Sequence, residues 1–175
     1  SGLQNGETVD SVTLLSSGAD AIANVAGSPY AIVASSATGA TFDPTNYSIT
    51  YVDGYLTVAP AALSYVANAA STTYGTAASG LSGSVSGFVN GDTQASATSG
   101  SLLFSTPATA FSNVGQYAID GSGLTANNSN YVFVQDSGNA TALTINPATL
   151  SYVANAASTT YGTAASGLSG SLSGF

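Results

Sequence analysis

LSYVANAASTTYGTAASGLSGSVSGF occupies residues 63–88, and residues 150–175 repeat it as LSYVANAASTTYGTAASGLSGSLSGF. The two copies differ only at Val85, which is replaced by Leu172 in the second copy, and they are offset by 87 residues. A period of this length indicates a tandem array of whole domains rather than the short coils of a solenoid. We therefore expect the chain to be part of a longer repetitive protein with a structural role.

The repeat divides the chain into three sequence segments. Residues 62–148 form one complete 87-residue repeat, residues 1–61 are the later part of a diverged repeat, and residues 149–175 open a third. The two incomplete segments together are almost one repeat long. Two interpretations stay open: the structural modules are permuted relative to the sequence seam and run over about 1–88 and 89–175, or the chain ends are open and neighbouring copies complete them.

Short anchors relate residues 1–61 to the complete repeat. Each anchor is given with its counterpart: Asn5-Gly6-Glu7-Thr8 with Asn90-Gly91-Asp92-Thr93, Tyr30-Ala31-Ile32 with Tyr117-Ala118-Ile119, Asn46-Tyr47 with Asn130-Tyr131, and Leu56-Thr57-Val58 with Leu143-Thr144-Ile145. The spacing between the anchors drifts, which places insertions in the intervening loops, where they are best tolerated.

The residue types that are missing exclude several classes of function. The 175-residue chain has no Lys, Arg, His or Cys, and its eight acidic residues give a formal net charge of −8. Nucleic acids are excluded as partners because Lys and Arg supply most of the affinity for phosphates. Without His and Cys there is no ordinary zinc site, no catalytic triad and no disulfide. We expect that the chain is not an enzyme and needs no cofactor.

The hydropathy pattern gives no sign of membrane insertion. No stretch approaches 18 consecutive apolar residues, the length that a spanning helix needs. The pattern of a signal peptide is also missing, so we expect any export signal to lie outside this segment.

Alternating apolar and small polar residues predict about six or seven strands in the complete repeat, separated by clusters of Gly, Asn, Asp and Ser. One of these clusters, residues 120–123 (Asp-Gly-Ser-Gly), is predicted to be a turn. The pattern favours an all-β fold of tandem, small antiparallel β-sandwich modules of the Ig-like kind. Short Pro-containing seams would join these modules into an extended rod. The alternative is a β-grasp-like module with one short helix near residues 93–100.

The order of motifs in the complete repeat resembles a known family. These motifs are Thr73-Tyr74-Gly75, Ser86-Gly87-Phe88-Val89-Asn90-Gly91-Asp92-Thr93, Val114-Gly115-Gln116-Tyr117-Ala118-Ile119, Asn130-Tyr131, and Leu143-Thr144-Ile145-Asn146-Pro147-Ala148. The set resembles the MBG repeat of the tyrosine-glycine type, found in tandem in large bacterial surface and secreted proteins, many of them similar to filamentous-haemagglutinin adhesins. The resemblance implies an extracellular or cell-surface location and a β-rich spacer or adhesive stalk. It implies no catalytic residues.

Acidic residues are the only remaining candidates for a metal site. Calcium takes six to eight oxygen ligands, and Asp92, or Asp120 together with Asp136, would supply part of such a shell. No Asp-x-Asp-x-Asp series completes the motif. Most acidic residues neighbour Gly, Asn, Pro, Ser or Thr, which is typical of turns.

The tyrosines of the complete repeat suggest a second kind of site. Tyr65, Tyr74, Tyr117 and Tyr131 would stack on sugar faces if they were exposed, or fill the strand interior if they point inwards. N-glycosylation patterns begin at Asn46, Asn127 and Asn139.

These observations predict a structural repeat segment of a secreted or surface bacterial adhesin or fibre protein, acting as a stalk or filament-building module. The expected partners are other copies or adjacent repeats, joined head to tail or by strand addition. The alternatives are a module that binds host or matrix glycans or a receptor, and an amyloid-like fibre of a biofilm matrix. Without partner strands, the second copy of the opening stretch is predicted to expose Leu150, Tyr152, Leu168 and Phe175.

Overall fold

A computed structural model describes residues 2–174, and strands are its main element. Within that range there are thirteen strands and one short α-helix, α1 (Gln94–Ala97), which confirms the all-β class. The strands are β1 (Ser11–Leu15), β2 (Tyr30–Thr38), β3 (Gly54–Leu56), β4 (Ala61–Ala67), β5 (Ala70–Thr73), β6 (Gly83–Ser86), β7 (Thr98–Ser105), β8 (Gly115–Tyr117), β9 (Asp120–Ala126), β10 (Tyr131–Gln135), β11 (Leu143–Asn146), β12 (Ser151–Ala154) and β13 (Gly170–Ser173). Single 3₁₀ turns lie at Ser17–Ala19, Val25–Gly27, Pro44–Asn46 and Ser137–Thr141.

The strands form five small sheets, with the orders β1-β2-β3, β10-β4-β6, β5-β11-β8, β7-β9 and β12-β13. Some pairs depart from the predicted antiparallel arrangement. β11 runs parallel to β5, with Thr144 opposite Ser71. The backbone hydrogen bonds from Ala61 to Asn130 and from Asp136 to Tyr65 show that β4 and β10 also run in the same direction. Parallel strands need a long crossover connection, and the chain between Thr73 and Leu143 supplies it. The sequence pattern marks where strands lie but not which distant strands pair.

The structure divides into two compact units. The first contains Ser1–Ser64, Val85–Ser101 and Gly123–Val134, and the second contains Tyr65–Ser84, Leu102–Ser122 and Gln135–Phe175. The boundaries fall inside strands β4, β6, β7, β9 and β10. The sequence-based segments 1–61, 62–148 and 149–175 and the permuted division at about 1–88 and 89–175 stay predictions.

The core of the first unit collects around one strand of the opening stretch. Leu63 is fully buried and packs with Ala97 and Tyr131, while Phe88 and Phe133 pack partly buried against them. Helix α1 places Ala97 in this core. The helix is only four residues long and begins with a capping box, in which Thr93 and Ser96 satisfy each other's backbone N–H groups. It lies where the β-grasp-like alternative requires a helix, near residues 93–100.

The core of the second unit is built on β11 and its neighbours. Leu143 and Ile145 alternate inward along β11 and are buried, together with Ile119 and Tyr65. The ring of Tyr65 meets that of Phe104 edge to face, with centroids 6.5 Å apart. This alternation is what a strand with one buried face requires.

The predicted turn at residues 120–123 is wrong, because these residues lie in β9. Gly121 is buried there, and a Cβ built on it would lie 2.5 Å from side-chain atoms of Tyr65. Glycine inside a strand marks such a close approach, as well as marking turns. The local Asp-Gly-Ser-Gly pattern does not distinguish the two uses.

Residues 1–61 share two local features with the complete repeat. β2 pairs antiparallel with β3, with Tyr30 opposite Leu56, and β8 pairs with β11 in the matching register, with Tyr117 opposite Leu143. The two Asn-Gly turns also share a backbone conformation, since Asn5 and Asn90 have positive φ angles of 52° and 56°. The sequence anchors therefore mark structurally equivalent positions.

Candidate functional site

The best-defined polar contact in the first unit joins Tyr131 to Asp92. The Tyr131 hydroxyl donates a hydrogen bond to Asp92 Oδ2 at 2.7 Å and accepts one from the backbone N–H of Val89 at 3.2 Å. Burial is the main cause that raises the pKa of Tyr131, and the hydrogen bond to Asp92 adds to it. The contact ties the Asn-Gly turn at residues 90–91 to the start of β10.

The same contact recurs in the diverged repeat. The Tyr47 hydroxyl donates a hydrogen bond to Glu7 and accepts one from the backbone N–H of Gln4 at 3.0 Å. Glu7 and Gln4 thus take the places that Asp92 and Val89 take around Tyr131. The hydrogen bond to Glu7 is the main cause that raises the pKa of Tyr47. Neither contact is among the sites predicted from the sequence. The sequence does carry a sign of these contacts, because both repeats have an acidic residue directly after Asn-Gly and a tyrosine directly after a later Asn.

A buried asparagine organises the polar interior of the second unit. Asn139 is 2% exposed, its Oδ1 accepts the backbone N–H of Ala67 at 2.8 Å, and its Nδ2 donates to the Tyr65 carbonyl and to Gln135 Oε1, each at 2.9 Å. Gln135 also bonds both backbone groups of Gly121. The sequence marked Asn139 only as the start of a glycosylation pattern. Its burial makes the side chain inaccessible to a glycan.

The three calcium candidates have different surroundings. Asp92 lines a pocket of about 120 Å³ together with Asn90 and Asn130, and one of its oxygens is taken by Tyr131. Asp136 accepts the backbone N–H of Gly138 at 2.8 Å and caps the 3₁₀ turn that follows it. Asp120 is the first residue of β9. In residues 2–174, acidic side chains do not gather in groups of three or more that would hold a metal ion, and calcium binding stays a prediction.

The tyrosines divide into interior and surface residues. Tyr65 and Tyr131 are buried, as the inward interpretation predicts, and Tyr117 is half-buried. Tyr74 is 47% exposed and lines an open, mainly apolar cleft of about 650 Å³ in the second unit, beside Asn113 and Leu150. Among the four tyrosines that the sequence singled out, Tyr74 is the most exposed.

The hairpin of β12 and β13 is a surface copy of a buried element. Leu150 and Tyr152 are 46% and 78% exposed, whereas Leu63 and Tyr65, at the same positions of the first copy, are 0% and 4% exposed. Leu168 is exposed as well. The predicted exposure of these residues is confirmed, and Phe175 lies outside the described residues. The same sequence therefore has two environments in one chain. β4 lies between β6 and β10, whereas the described sheets give β12 one neighbour, β13.

The chain was also compared with known proteins. The family described as MBG domain (YGX type) matches residues 1–57 and 63–141. No match was found among curated proteins or among solved structures. As far as the described residues extend, no helix has the length and apolar character of a membrane span. The matched residues make up most of the sequence and include both asparagine-tyrosine anchors, so the chain belongs to the MBG domain family of the YGX type.

Proposed function

We propose that the chain is a structural repeat segment of a large secreted or surface bacterial protein, in which it acts as an extended stalk or filament-building module. The observation that carries this proposal is the duplication of residues 63–88 at 150–175 with a single difference, loops included. A ligand-binding array would be expected to vary at its loop tips, since binding residues concentrate on loops. Membership of the MBG family supports a repeat role.

The proposal includes a mechanical mechanism. Each module resists extension through the backbone hydrogen bonds between its strands, and repetition sets the length. Tandem Ig-like β-sandwiches in a rod are one arrangement of the modules. The parallel pair of β5 and β11 and the helix α1 favour the β-grasp-like alternative. We also propose an extracellular or cell-surface location and self-association as the main interaction. We further propose no catalytic activity, because the sequence has no Lys, Arg, His or Cys to activate a nucleophile or to act as one.

Single-molecule stretching of an array of the 87-residue repeat tests this function. A folded spacer module should give evenly spaced unfolding events, each releasing about 30 nm of chain, because an extended residue spans about 3.3–3.6 Å. Arrays with one repeat fewer should give one event fewer with unchanged spacing. A featureless extension curve would reject folded spacer modules. An amyloid-like fibre, the second structural alternative, would instead show a 4.7–4.8 Å repeat in fibre diffraction.

A second candidate function, glycan binding, is favoured by the cleft beside Tyr74. An exposed aromatic ring next to an amide side chain, here Asn113, is a common way to hold a sugar. Binding to a panel of host and matrix glycans should fall in Tyr74→Ala and stay unchanged in Tyr161→Ala, which removes a fully exposed ring elsewhere. Equal binding by both variants would reject the cleft as a glycan site.

A further inference from the structure

We propose that Asn90 and Asn130 couple the two MBG segments of the chain, residues 1–57 and 63–141, so that each segment stabilises the other. Their side chains bind residues 21–25 of the first segment, and we call this contact the asparagine joint. The inference rests on the proposed spacer function, because it names the contact through which neighbouring repeats transmit force. Both sides of the joint lie in the first compact unit.

Asn130 makes the central contacts of the joint. Its Oδ1 accepts a hydrogen bond from the backbone N–H of Val25 at 2.9 Å, and its Nδ2 donates one to Asn24 Oδ1 at 2.8 Å. The backbone of Asn130 is bonded as well, since its N–H donates to Asn128 Oδ1 and its carbonyl accepts the N–H of Ala61. The amide group is therefore held in place where it binds the first segment.

Asn90 adds a second contact from the Asn-Gly turn. Its Nδ2 donates a hydrogen bond to the backbone carbonyl of Ala21 at 3.0 Å. The φ angle of Asn90 is 56°, a left-handed conformation that asparagine adopts more readily than most residues. Ile22 and Val25 line the same small pocket as both asparagines. Polar and apolar groups of the two segments therefore meet at the joint.

Residues 21–25 have a defined shape within their own segment. Asp20 Oδ1 accepts the backbone N–H of Ile22 at 3.1 Å, and the Tyr30 hydroxyl donates to the Asn24 carbonyl at 2.7 Å. The N–H of Ala23 donates to the Asp20 carbonyl at 3.0 Å and closes the same turn. A preorganised surface loses little conformational entropy when it is bound. The joint therefore links two structured segments, and the hydrogen bonds across it add to the stability of both.

The recurring anchors divide their contacts between the two segments. In the Asn-Tyr anchor, Tyr131 bonds to Asp92 of its own segment, whereas Asn130 binds the other segment. In the Asn-Gly anchor, Asp92 is that inward partner, whereas Asn90 reaches the other segment. Amides suit this task in a chain without Lys or Arg, because they donate and accept hydrogen bonds without a charged partner.

Hydrogen exchange at the Val25 amide tests the joint directly. Asn130→Ala should speed this exchange about fivefold or more, because local opening no longer has to break the hydrogen bond to Asn130. Asn127→Ala is the matched control, since Asn127 Nδ2 donates to the Ser96 carbonyl at 3.1 Å inside the second segment. It should leave the exchange at Val25 unchanged. The same exchange rate in Asn130→Ala as in the unchanged protein would overturn the proposal.

A tryptophan reporter tests whether the joint carries stability from one segment to the other, because the chain has no tryptophan of its own. Phe42 is half-buried in the first segment, so Phe42→Trp reports on the unfolding of that segment. Adding Asn90→Gly and Asn130→Ala should lower its urea midpoint by about 0.5 M or more. Glycine accepts the positive φ of Asn90 without strain.

Asn127→Ala in the same Phe42→Trp background is again the control and should shift the midpoint less than the joint variant does. Equal midpoints in the two variants would overturn the coupling. Circular dichroism without urea checks that both variants are folded. Stretching of arrays keeps this result separate from the proposed function. Regular unfolding events would still support the spacer if the joint fails, whereas a featureless curve would reject the spacer function itself.

Discussion

The tyrosine hydroxyls that bond to acidic side chains are the residue-scale feature shared by both repeats. Tyr131 bonds to Asp92 and Tyr47 to Glu7, and each contact joins an Asn-Gly turn to a later part of the module. Hydrogen bonds that close a long stretch of chain hold distant segments in register. They suit the spacer function that we propose.

Replacement of Tyr131 by Phe should destabilise the protein by about 1–3 kcal/mol at pH 7, because the ring stays in the core while a charge-assisted hydrogen bond is lost. The pKa of Tyr131 is raised in the folded state, so its contribution is complete below the ordinary tyrosine pKa of about 10 and is lost as the pH rises through the raised value. Urea unfolding should show a smaller difference in the free energy of unfolding between the unchanged protein and Tyr131→Phe at pH 11 than at pH 7. Tyr161→Phe, which alters an exposed ring, should behave as the unchanged protein.

Gly121 offers a second test at the residue scale. Gly121→Ala should destabilise the protein by about 1–3 kcal/mol, because the added methyl group would lie 2.5 Å from the Tyr65 side chain inside a packed interior. Gly54→Ala is the matched control, since its methyl group would meet Ile32 at an ordinary 3.7 Å. Thermal unfolding followed by circular dichroism compares the two. A smaller effect at Gly121 than at Gly54 would contradict the close approach that explains glycine in β9.

At the scale of elements, the two copies of the opening stretch show how far local sequence determines local structure. β12 repeats the last four residues of β4, and β13 repeats β6 apart from Leu172 in place of Val85. Both copies form a strand pair, so pairing within the hairpin is a local property. Burial is not, because it depends on strands that come from other parts of the chain.

Matched substitutions in these copies should therefore have unequal effects. Leu63→Ala should cost about 2–5 kcal/mol, the usual cost of a cavity at a fully buried leucine. Leu150→Ala should cost less than about 1 kcal/mol in dilute solution, because Leu150 is half-exposed. Urea unfolding at low protein concentration measures both. Similar losses would mean that the second copy is buried like the first.

At the scale of the whole molecule, every charged side chain has the same sign. All eight charged side chains are acidic, and the net charge of −8 leaves copies to repel one another at neutral pH. This repulsion has no attractive ion pairs to offset it. Any association between molecules should therefore become stronger when a lower pH or added salt weakens this repulsion.

Lowering the pH from 7 towards the sequence pI of about 4.1 should increase association, because neutral carboxyl groups no longer repel. Added salt should increase it at pH 7, where screening shortens the range of repulsion to about 10 Å or less, and should have little effect near pH 4. Light scattering over a pH and salt series measures this. Weaker association near pH 4 than at pH 7 would show that charged carboxylates hold molecules together.

The sequence alone determined the all-β class, the 87-residue period and the correspondence between the diverged and complete repeats. These properties follow from local alternation and from recurring anchors such as Asn46-Tyr47 and Asn130-Tyr131. The sequence also shows that this segment has no Lys, Arg, His or Cys, and folding cannot supply side chains that are missing.

Only the tertiary structure decided what those residues contact. The parallel pairing of β5 with β11, the place of Gly121 under Tyr65, and the burial of Asn139 depend on segments far apart in the chain. The opening stretch shows the reason most directly. Leu63 is buried and Leu150 is exposed in the same local sequence, because burial is a property of the partners that surround a strand, and local sequence does not contain them.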